Sequence, residues 1–327
     1  MKNFKFPLCL LLAMFLLCLS FISYSQENYD TENFTKNIME AAKAGRMGRL
    51  NARFTCPRYL LRYSMTLYNV GSRENAIEIA TVAKTIASLV KKALAVNYIS
   101  DLEAKTFAKE INDPKIKSKM IDYTTALKNA AAAHIKYFKT GDKDIIYTID
   151  EYLDKAFQYD SDLEKILKKP IITNAARIMF NAVYYCPRWL TTLAESYMDY
   201  AIEGEYASRG YRKDFVLCPD CIKLTKCAKD INDVWSENLK RTSDKDIDPN
   251  YKKVCLEYTD TFKKYSGCQM EFLKLGEKIM KSPLKKEIPT EITSKVNKDL
   301  CPNLNKDYQK KLFPLMEKIN NFVYKKE

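Results

Sequence analysis

Glycine and proline are scarce in this chain, which has only eight glycines and eleven prolines in 327 residues. An average protein contains about 7% glycine and 5% proline, and tight turns between strands consume both residues. Lysine, alanine, leucine and glutamate, which are good helix formers, are abundant instead. Together with the spacing of the apolar residues, this composition predicts an all-α protein, a multi-helix bundle of roughly eight to ten helices.

Capping residues mark several expected helix boundaries. Asp113-Pro114 and Asp248-Pro249 each place a carboxylate before a proline, which suits the cap and the first position of a helix. Gly141 predicts a helix C-terminus, because glycine accepts the left-handed conformation found there. Pro314 predicts a bend in the last helix, which we expect over residues 306–323.

A ten-residue segment occurs twice, at an offset of 130 residues. Residues 51–60, NARFTCPRYL, match residues 181–190, NAVYYCPRWL, at six positions. Because proline cannot donate a backbone hydrogen bond, we expect each helix to break before the Cys-Pro pair and to restart there. The match predicts a duplicated helical unit, with local convergence as the alternative. The residues that follow the two cysteines are predicted to lie on the surface of each unit: Arg58, Tyr59, Arg188 and Trp189.

The N-terminus has the layout of a secretory signal peptide. Two lysines precede an apolar run from Phe6 to Ile22, and Ser23-Tyr24-Ser25 then supplies the small residues of a cleavage site. We predict a signal peptide over residues 1–25 and a secreted or periplasmic mature chain without a transmembrane segment. An uncleaved membrane anchor is the alternative. If the duplication holds, residues 26–165 form a helical lobe with the first Cys-Pro-Arg unit. Residues 166–327 then form a lobe with the second unit and a cysteine-rich C-terminal part.

Export changes what the cysteines are expected to do, because disulfides persist outside the reducing cytosol. Eight cysteines remain after signal cleavage, and they are disulfide candidates: Cys56, Cys186, Cys218, Cys221, Cys227, Cys255, Cys268 and Cys301. An even number predicts a fold stabilised by up to four disulfides, among 105 pairings that the sequence does not distinguish. We favour a direct bridge between Cys56 and Cys186. Separate bonds to the C-terminal cluster, and free buried thiols, are the alternatives.

Two local patterns in the chain have a chemical reading and a simpler one. The segment Cys218-Pro219-Asp220-Cys221 has the spacing of a redox dithiol or of part of a zinc site, but no βαβ unit surrounds it, so a structural disulfide is favoured. Asn33 begins a glycosylation sequon, which matters only in a eukaryotic source. We therefore predict no cofactor and no metal.

The formal net charge of +13 favours an anionic partner surface, although lysines alternate with acids as on solvated helix faces. We do not expect nucleic-acid binding, because an exported chain without a recognition motif is a poor candidate. The single histidine, His134, lies mid-helix among alanines and is an unpromising catalytic base. Acidic clusters such as Asp150-Glu151 and the group Asp160, Asp162 and Glu164 read as solvated faces.

Two function classes follow from these observations. The first is an exported, disulfide-stabilised helical binding or interaction protein whose ligand is a protein, a lipid or an anionic small molecule. The alternative is a secreted hydrolase that uses a carboxylate pair on a glycan or another extracellular polymer. We favour the binding protein over an enzyme, and a cleft with two facing carboxylates would reverse that preference.

Overall fold

The computed structural model describes residues 51–95, 114–167, 175–195, 198, 218–280 and 311–324. The regular structure in these ranges is helical, which confirms the all-α prediction. The described residues contain eight α-helices: α1 Cys56–Asn69, α2 Arg73–Ala95, α3 Pro114–Thr140, α4 Asp144–Leu167, α5 Ala175–Phe180, α6 Cys218–Arg241, α7 Pro249–Met280 and α8 Phe313–Tyr324. The helix that begins with α5 continues through residues 186–195. The predicted signal peptide, Asn33 and Cys301 lie outside the described residues.

Two predicted helix boundaries are confirmed. Gly141 ends α3 with a φ of 71°, and its N–H donates to the Tyr137 carbonyl at 2.8 Å. Asp248 caps α7, because its Oδ1 accepts the N–H of Asn250 at 2.8 Å and that of Tyr251 at 3.0 Å. Helix α4 extends to Leu167, so it crosses the lobe boundary predicted at residue 165.

The Cys-Pro-Arg motif does not break its helix in either copy, contrary to the prediction. A π-helical turn, Asn51–Thr55 or Asn181–Tyr185, leads directly into an α-helix at the cysteine. The Cys186 N–H donates to the carbonyl of Asn181, five residues earlier. In an α-helix the proline ring would collide with the carbonyl four residues before it, and a π-turn widens the helix at that place. Residues 311–312, just before Phe313-Pro314, are also π-helical, where a bend was predicted.

The order of buried and exposed positions repeats along three pairs of helical segments. Each residue from 75 to 89 in α2 has the same degree of burial as the residue 145 positions later in α6. Residues 118–124 of α3 match residues 253–259 of α7 in the same way, and residues 51–58 match residues 181–188. The similarity therefore extends far beyond the ten-residue motif. We call residues 51–140 the first unit and residues 181–275 the second unit.

Elements of the two units pack against each other, and α2 contacts its own counterpart. Helix α2 contacts α6, and α1 contacts the second π-turn. The buried apolar side chains of both units form one contiguous core. Burying this apolar surface is the main favourable contribution to folding, so the two units depend on each other for it.

Each π-turn also presents a carbonyl to a buried tyrosine of its own unit. The Tyr123 hydroxyl donates to the Phe54 carbonyl at 2.6 Å, and the Tyr258 hydroxyl donates to the Tyr184 carbonyl at 3.5 Å. Phe54 corresponds to Tyr184, and Tyr123 corresponds to Tyr258. A buried carbonyl needs a hydrogen-bond donor, and the tyrosine supplies it in both units.

The structure does not contain the predicted set of up to four disulfides. Five cysteines carry buried thiols: Cys56, Cys186, Cys221, Cys227 and Cys255. The favoured bridge between Cys56 and Cys186 is therefore not formed, whereas Cys268 is disulfide-bonded. The physical reason is packing, because a cysteine thiol behaves as a small apolar side chain and these five belong to the core.

We expect these five thiols to resist modification by an aromatic disulfide reagent in the native protein and to react after unfolding in guanidinium chloride. The thiolate is the nucleophile, and burial raises the pKa of the Cys227 thiol to about 12 and also raises the pKa of Cys255. The measurement is a thiol count under both conditions. Non-reducing peptide mapping that recovered Cys56 joined to Cys186 would contradict it.

Candidate functional site

The residues predicted to form a surface after each Cys-Pro pair are not all exposed. Tyr59 is only 2% exposed, which corrects the prediction for this residue. Its hydroxyl forms a hydrogen bond with Asn181 of the other unit, and burial raises its pKa. The Arg58 guanidinium lies over the Tyr59 ring, 5.4 Å from its centroid. Tyr59 is buried because α1, in whose first turn it lies, packs against the second π-turn.

The corresponding residues of the second unit are half-buried. Trp189 stacks on Tyr185 with ring centroids 5.4 Å apart, and Arg188 is partly exposed. Thr191 and Thr192 both donate their hydroxyls to the Arg188 carbonyl, at 2.7 and 3.1 Å. These contacts fix the local helix, and they do not bring the four predicted surface residues into one shared site.

The Cys-Pro-Asp-Cys segment forms the first turn of α6 rather than a redox centre. Cys221 is fully buried, and Asp220 is only 1% exposed. The Asp220 carboxylate pairs with Lys92 of α2 at 2.8 Å, and Lys223 lies 3.7 Å from its other oxygen. This ion pair links the two units across the α2–α6 contact.

The remaining candidates from the sequence occupy ordinary helical positions. His134 is buried, its Nδ1 lies 2.8 Å from the Ala130 carbonyl, and burial lowers its pKa. Asp150 and Glu151 are exposed on α4, and Glu151 pairs with Lys155 one turn away. The exposed positions of Asp150 and Glu151 fit the interpretation of a solvated helix face.

A polar network lies inside the second unit, and the sequence did not reveal it. Gln269 of α7 donates through Nε2 to Glu195 Oε1 at 2.6 Å and to the Thr191 carbonyl at 3.2 Å. The Thr225 hydroxyl of α6 donates to Gln269 Oε1 at 3.3 Å, and the Tyr265 hydroxyl donates to Glu195 Oε1 at 3.3 Å. Three helical segments therefore converge on one amide and one carboxylate.

Glu195 forms the outer end of this network. Thr191, Thr225 and Gln269 are buried, whereas Glu195 and Tyr265 are partly exposed. Desolvation raises the pKa of the Glu195 carboxyl, and the hydrogen bonds from Gln269 and Tyr265 oppose that rise. The side chain is thus a positioned carboxyl group at the edge of a dry interior.

A second polar cluster lies further along the same three segments. The Trp235 Nε1–H donates to the Tyr184 hydroxyl at 2.9 Å, and that hydroxyl donates to Cys255 Sγ at 2.9 Å. Tyr251 forms side-chain hydrogen bonds with both Tyr184 and Cys255. Burial raises the pKa of Tyr184 and of Tyr251. These four side chains are hydrogen-bonded to one another, which is what burial requires of polar groups.

A third polar contact joins the same two helices between these clusters. Asn232 of α6 donates through Nδ2 to the Thr259 carbonyl of α7 at 2.9 Å, and the Thr259 hydroxyl donates to Ser236 at 3.3 Å. Polar contacts thus occur along the length of the α6–α7 contact in the second unit.

The corresponding positions of the first unit are mostly apolar. The counterparts of Thr191, Glu195, Thr225, Tyr265 and Gln269 are Leu61, Met65, Ala80, Ala130 and His134. The counterparts of Tyr184, Trp235 and Cys255 are Phe54, Val90 and Met120. A unit with a similar order of buried positions therefore forms with mostly apolar residues at these places.

A cluster of carboxylates lies where α2 meets α6, but cations neutralise it. Burial and the neighbouring Asp230 raise the pKa of Glu78. Asp230 pairs with Lys226 at 2.6 Å, and Asp233 pairs with Lys229 at 2.5 Å and with Lys263 at 3.6 Å. Such surface pairs stabilise a helix by a few tenths of a kcal/mol each, about 0.3–0.5, and they do not indicate a catalytic pair.

The described residues show neither a metal-binding group nor a membrane-spanning helix. They contain no group of three or more histidine, cysteine or acidic side chains arranged to hold a metal ion. Among the helices of the same ranges, none combines the length and the hydropathy that crossing a bilayer requires.

Comparison with known proteins gives this chain no family assignment, since no protein-family model, no curated protein and no solved structure matches it significantly.

Proposed function

We propose that this chain is an exported helical binding protein and that its ligand site lies at the Glu195 end of the polar network in the second unit. The observation that carries the proposal is the difference between the two units. At matching positions, the first unit has Leu61, Met65, Ala80 and His134, and the second has Thr191, Glu195, Thr225 and Gln269 joined by hydrogen bonds. Proteins depart from the most stable interior mainly where function requires it.

The same proposal covers the origin of the two units. The repeated burial pattern supports a duplication, with the first unit retained as a scaffold and the second unit diverged toward binding. Export by a signal peptide over residues 1–25 remains part of the proposal. Any disulfide of the exported chain is then expected to involve Cys218, Cys268 or Cys301 rather than the five buried thiols.

The alternative, a hydrolase, would require a second carboxylate facing Glu195 across a cleft. A retaining or inverting glycosidase places its two carboxyl groups about 5–10 Å apart. Desolvation raises the pKa of Glu195 against the opposing effect of two neutral hydrogen-bond donors, and no acid in the described part of the chain contributes to the rise. Binding therefore has more support than hydrolysis.

The test exchanges the polar set for its first-unit counterparts: Thr191→Leu, Glu195→Met, Thr225→Ala and Gln269→His. If the polar set serves binding, we expect the fourfold variant to be more stable than the natural chain by about 0.5–2 kcal/mol, since functional sites are commonly maintained at the expense of stability. Urea unfolding followed by circular dichroism measures the difference. A loss of stability would mean that the network is structural, and the proposal would then fail.

The reverse exchange in the first unit is the matched control. Leu61→Thr, Met65→Glu and Ala80→Thr should destabilise the protein, because the new polar groups enter an apolar interior. A second measurement isolates Glu195. Because burial raises its pKa above the ordinary 4.5, the folded protein loses stability as the pH rises through the folded-state pKa. Glu195→Gln removes that loss, so its stabilising effect should be absent near about pH 4 and should grow toward about pH 7.

A further inference from the structure

The Glu195 carboxylate is held through one oxygen only. Both hydrogen bonds it receives, from Gln269 at 2.6 Å and from Tyr265 at 3.3 Å, end on Oε1. Among the described residues, none donates a hydrogen bond to Oε2 and no lysine or arginine pairs with the group. A carboxylate has about four acceptor sites, so this one retains acceptor capacity toward a ligand.

The network fixes the direction of this carboxylate. Gln269 is itself held by Thr225 at 3.3 Å and by the Thr191 carbonyl at 3.2 Å, so its amide cannot rotate freely. Two donors at Oε1 keep that oxygen inside the network. Glu195 is partly exposed, and its Oε2 is not a fully buried atom without a partner. Preorganisation of this kind reduces the entropy lost on binding.

No cation pairs with Glu195 in the described part of the chain, whereas several other acids have one. Lysine and arginine number 54 against 41 acids, and described acids such as Asp220, Asp230 and Asp233 pair with lysines. A partly desolvated carboxylate without a cation is unfavourable by itself, and an incoming positive charge removes that penalty.

We propose that the ligand of this site carries a primary ammonium group, which binds Glu195 Oε2. This inference rests on the proposed function, since it names the chemical class that the Glu195 site would recognise. A primary ammonium has three donors and a compact charge, so it can satisfy Oε2 and still bind a second acceptor.

The experiment uses the full mature chain and three small probes of equal chain length: n-butylammonium, n-butanol and n-butyrate. Saturation-transfer NMR and titration calorimetry measure binding of each probe. We expect n-butylammonium to bind at least tenfold more tightly than the neutral and anionic probes. Glu195→Gln should weaken n-butylammonium binding at least tenfold, because a charge-assisted hydrogen bond becomes a neutral one. Glu151→Gln, at an exposed acid of α4, should leave binding unchanged.

Each other outcome is informative. Glu195-dependent binding of n-butanol or n-butyrate at equal or higher affinity would overturn the ammonium inference while leaving a binding site at Glu195. No Glu195-dependent binding of any probe would also overturn it. The proposed function is judged separately by the stability of the fourfold exchange, so the two failures are distinguishable. Circular dichroism of Glu195→Gln and Glu151→Gln confirms that both variants are folded.

Discussion

Replacement of Tyr123 by alanine is expected to lower the free energy of unfolding by about 3–5 kcal/mol. Tyr123 is fully buried, its ring packs 6.3 Å from that of Phe54, and its hydroxyl donates to the Phe54 carbonyl at 2.6 Å. The substitution removes a large core side chain and also leaves the π-turn carbonyl without its donor. Urea unfolding monitored by circular dichroism measures the change.

The phenylalanine variants separate the ring from the hydroxyl. Tyr123→Phe should lower the free energy of unfolding by about 1–2 kcal/mol, because it retains the ring and leaves a buried acceptor unsatisfied. Tyr258→Phe is the matched variant in the second unit. Its hydrogen bond to the Tyr184 carbonyl is longer, at 3.5 Å, so its effect should be smaller. Equal effects of the two variants, or a negligible effect of Tyr123→Phe, would contradict this account of the π-turns.

Removal of the lysine that pairs with Asp220 is the second large effect. Lys92→Ala should destabilise the protein by about 3 kcal/mol, because a buried carboxylate then loses its closest cation. Asp220 is only 1% exposed, and Lys223 is 3.7 Å away against 2.8 Å for Lys92. The double variant Lys92→Ala with Asp220→Asn should recover part of the loss, since it removes the uncompensated charge.

An exposed pair on the same helix provides the control. Lys226→Ala removes a cation from Asp230, and the Lys226 side chain is 66% exposed. Its effect should stay below about 0.5 kcal/mol, as expected for a surface pair within one helix. If Lys92→Ala were no more destabilising than Lys226→Ala, the Asp220 pair would not link the two units as described.

Local signals in the sequence were sufficient to predict the helical class and two of the helix ends. Scarce glycine and proline predicted the all-α class, and Gly141 and Asp248 placed two boundaries correctly, because capping depends on neighbouring residues alone. The π-turns could not be predicted in the same way. A proline can be accommodated by a break, a bend or a wider turn of the helix, and its neighbours do not decide among these. The buried hydroxyls of Tyr123 and Tyr258, which donate to the turn carbonyls, come from a distant helix.

The candidate site could not be predicted from the sequence, for a physical reason. Thr191, Glu195, Thr225 and Gln269 are common residue types on three separate helical segments, and nothing in their spacing joins them before the fold is known. The similarity of the two units was visible in the sequence only in the ten-residue motif, where six residues are identical. Elsewhere the order of buried and exposed positions is the same in both units but the residues differ, so the similarity becomes visible only in the folded structure. The disulfide prediction was wrong for five cysteines because it relied on the oxidising compartment expected for an exported chain. The core positions of these cysteines are not visible in the sequence.

The contact between α2 and its counterpart α6 has a consequence for how such a chain could arise. Two identical half-length chains joined through this face would form a symmetric dimer, and their folding would depend on protein concentration. Fusion into one polypeptide makes the encounter intramolecular, so assembly no longer weakens on dilution. It also frees the halves from identity. A substitution in a homodimer appears twice, whereas in the fused chain one half can acquire an acid such as Glu195 while the other keeps Met65.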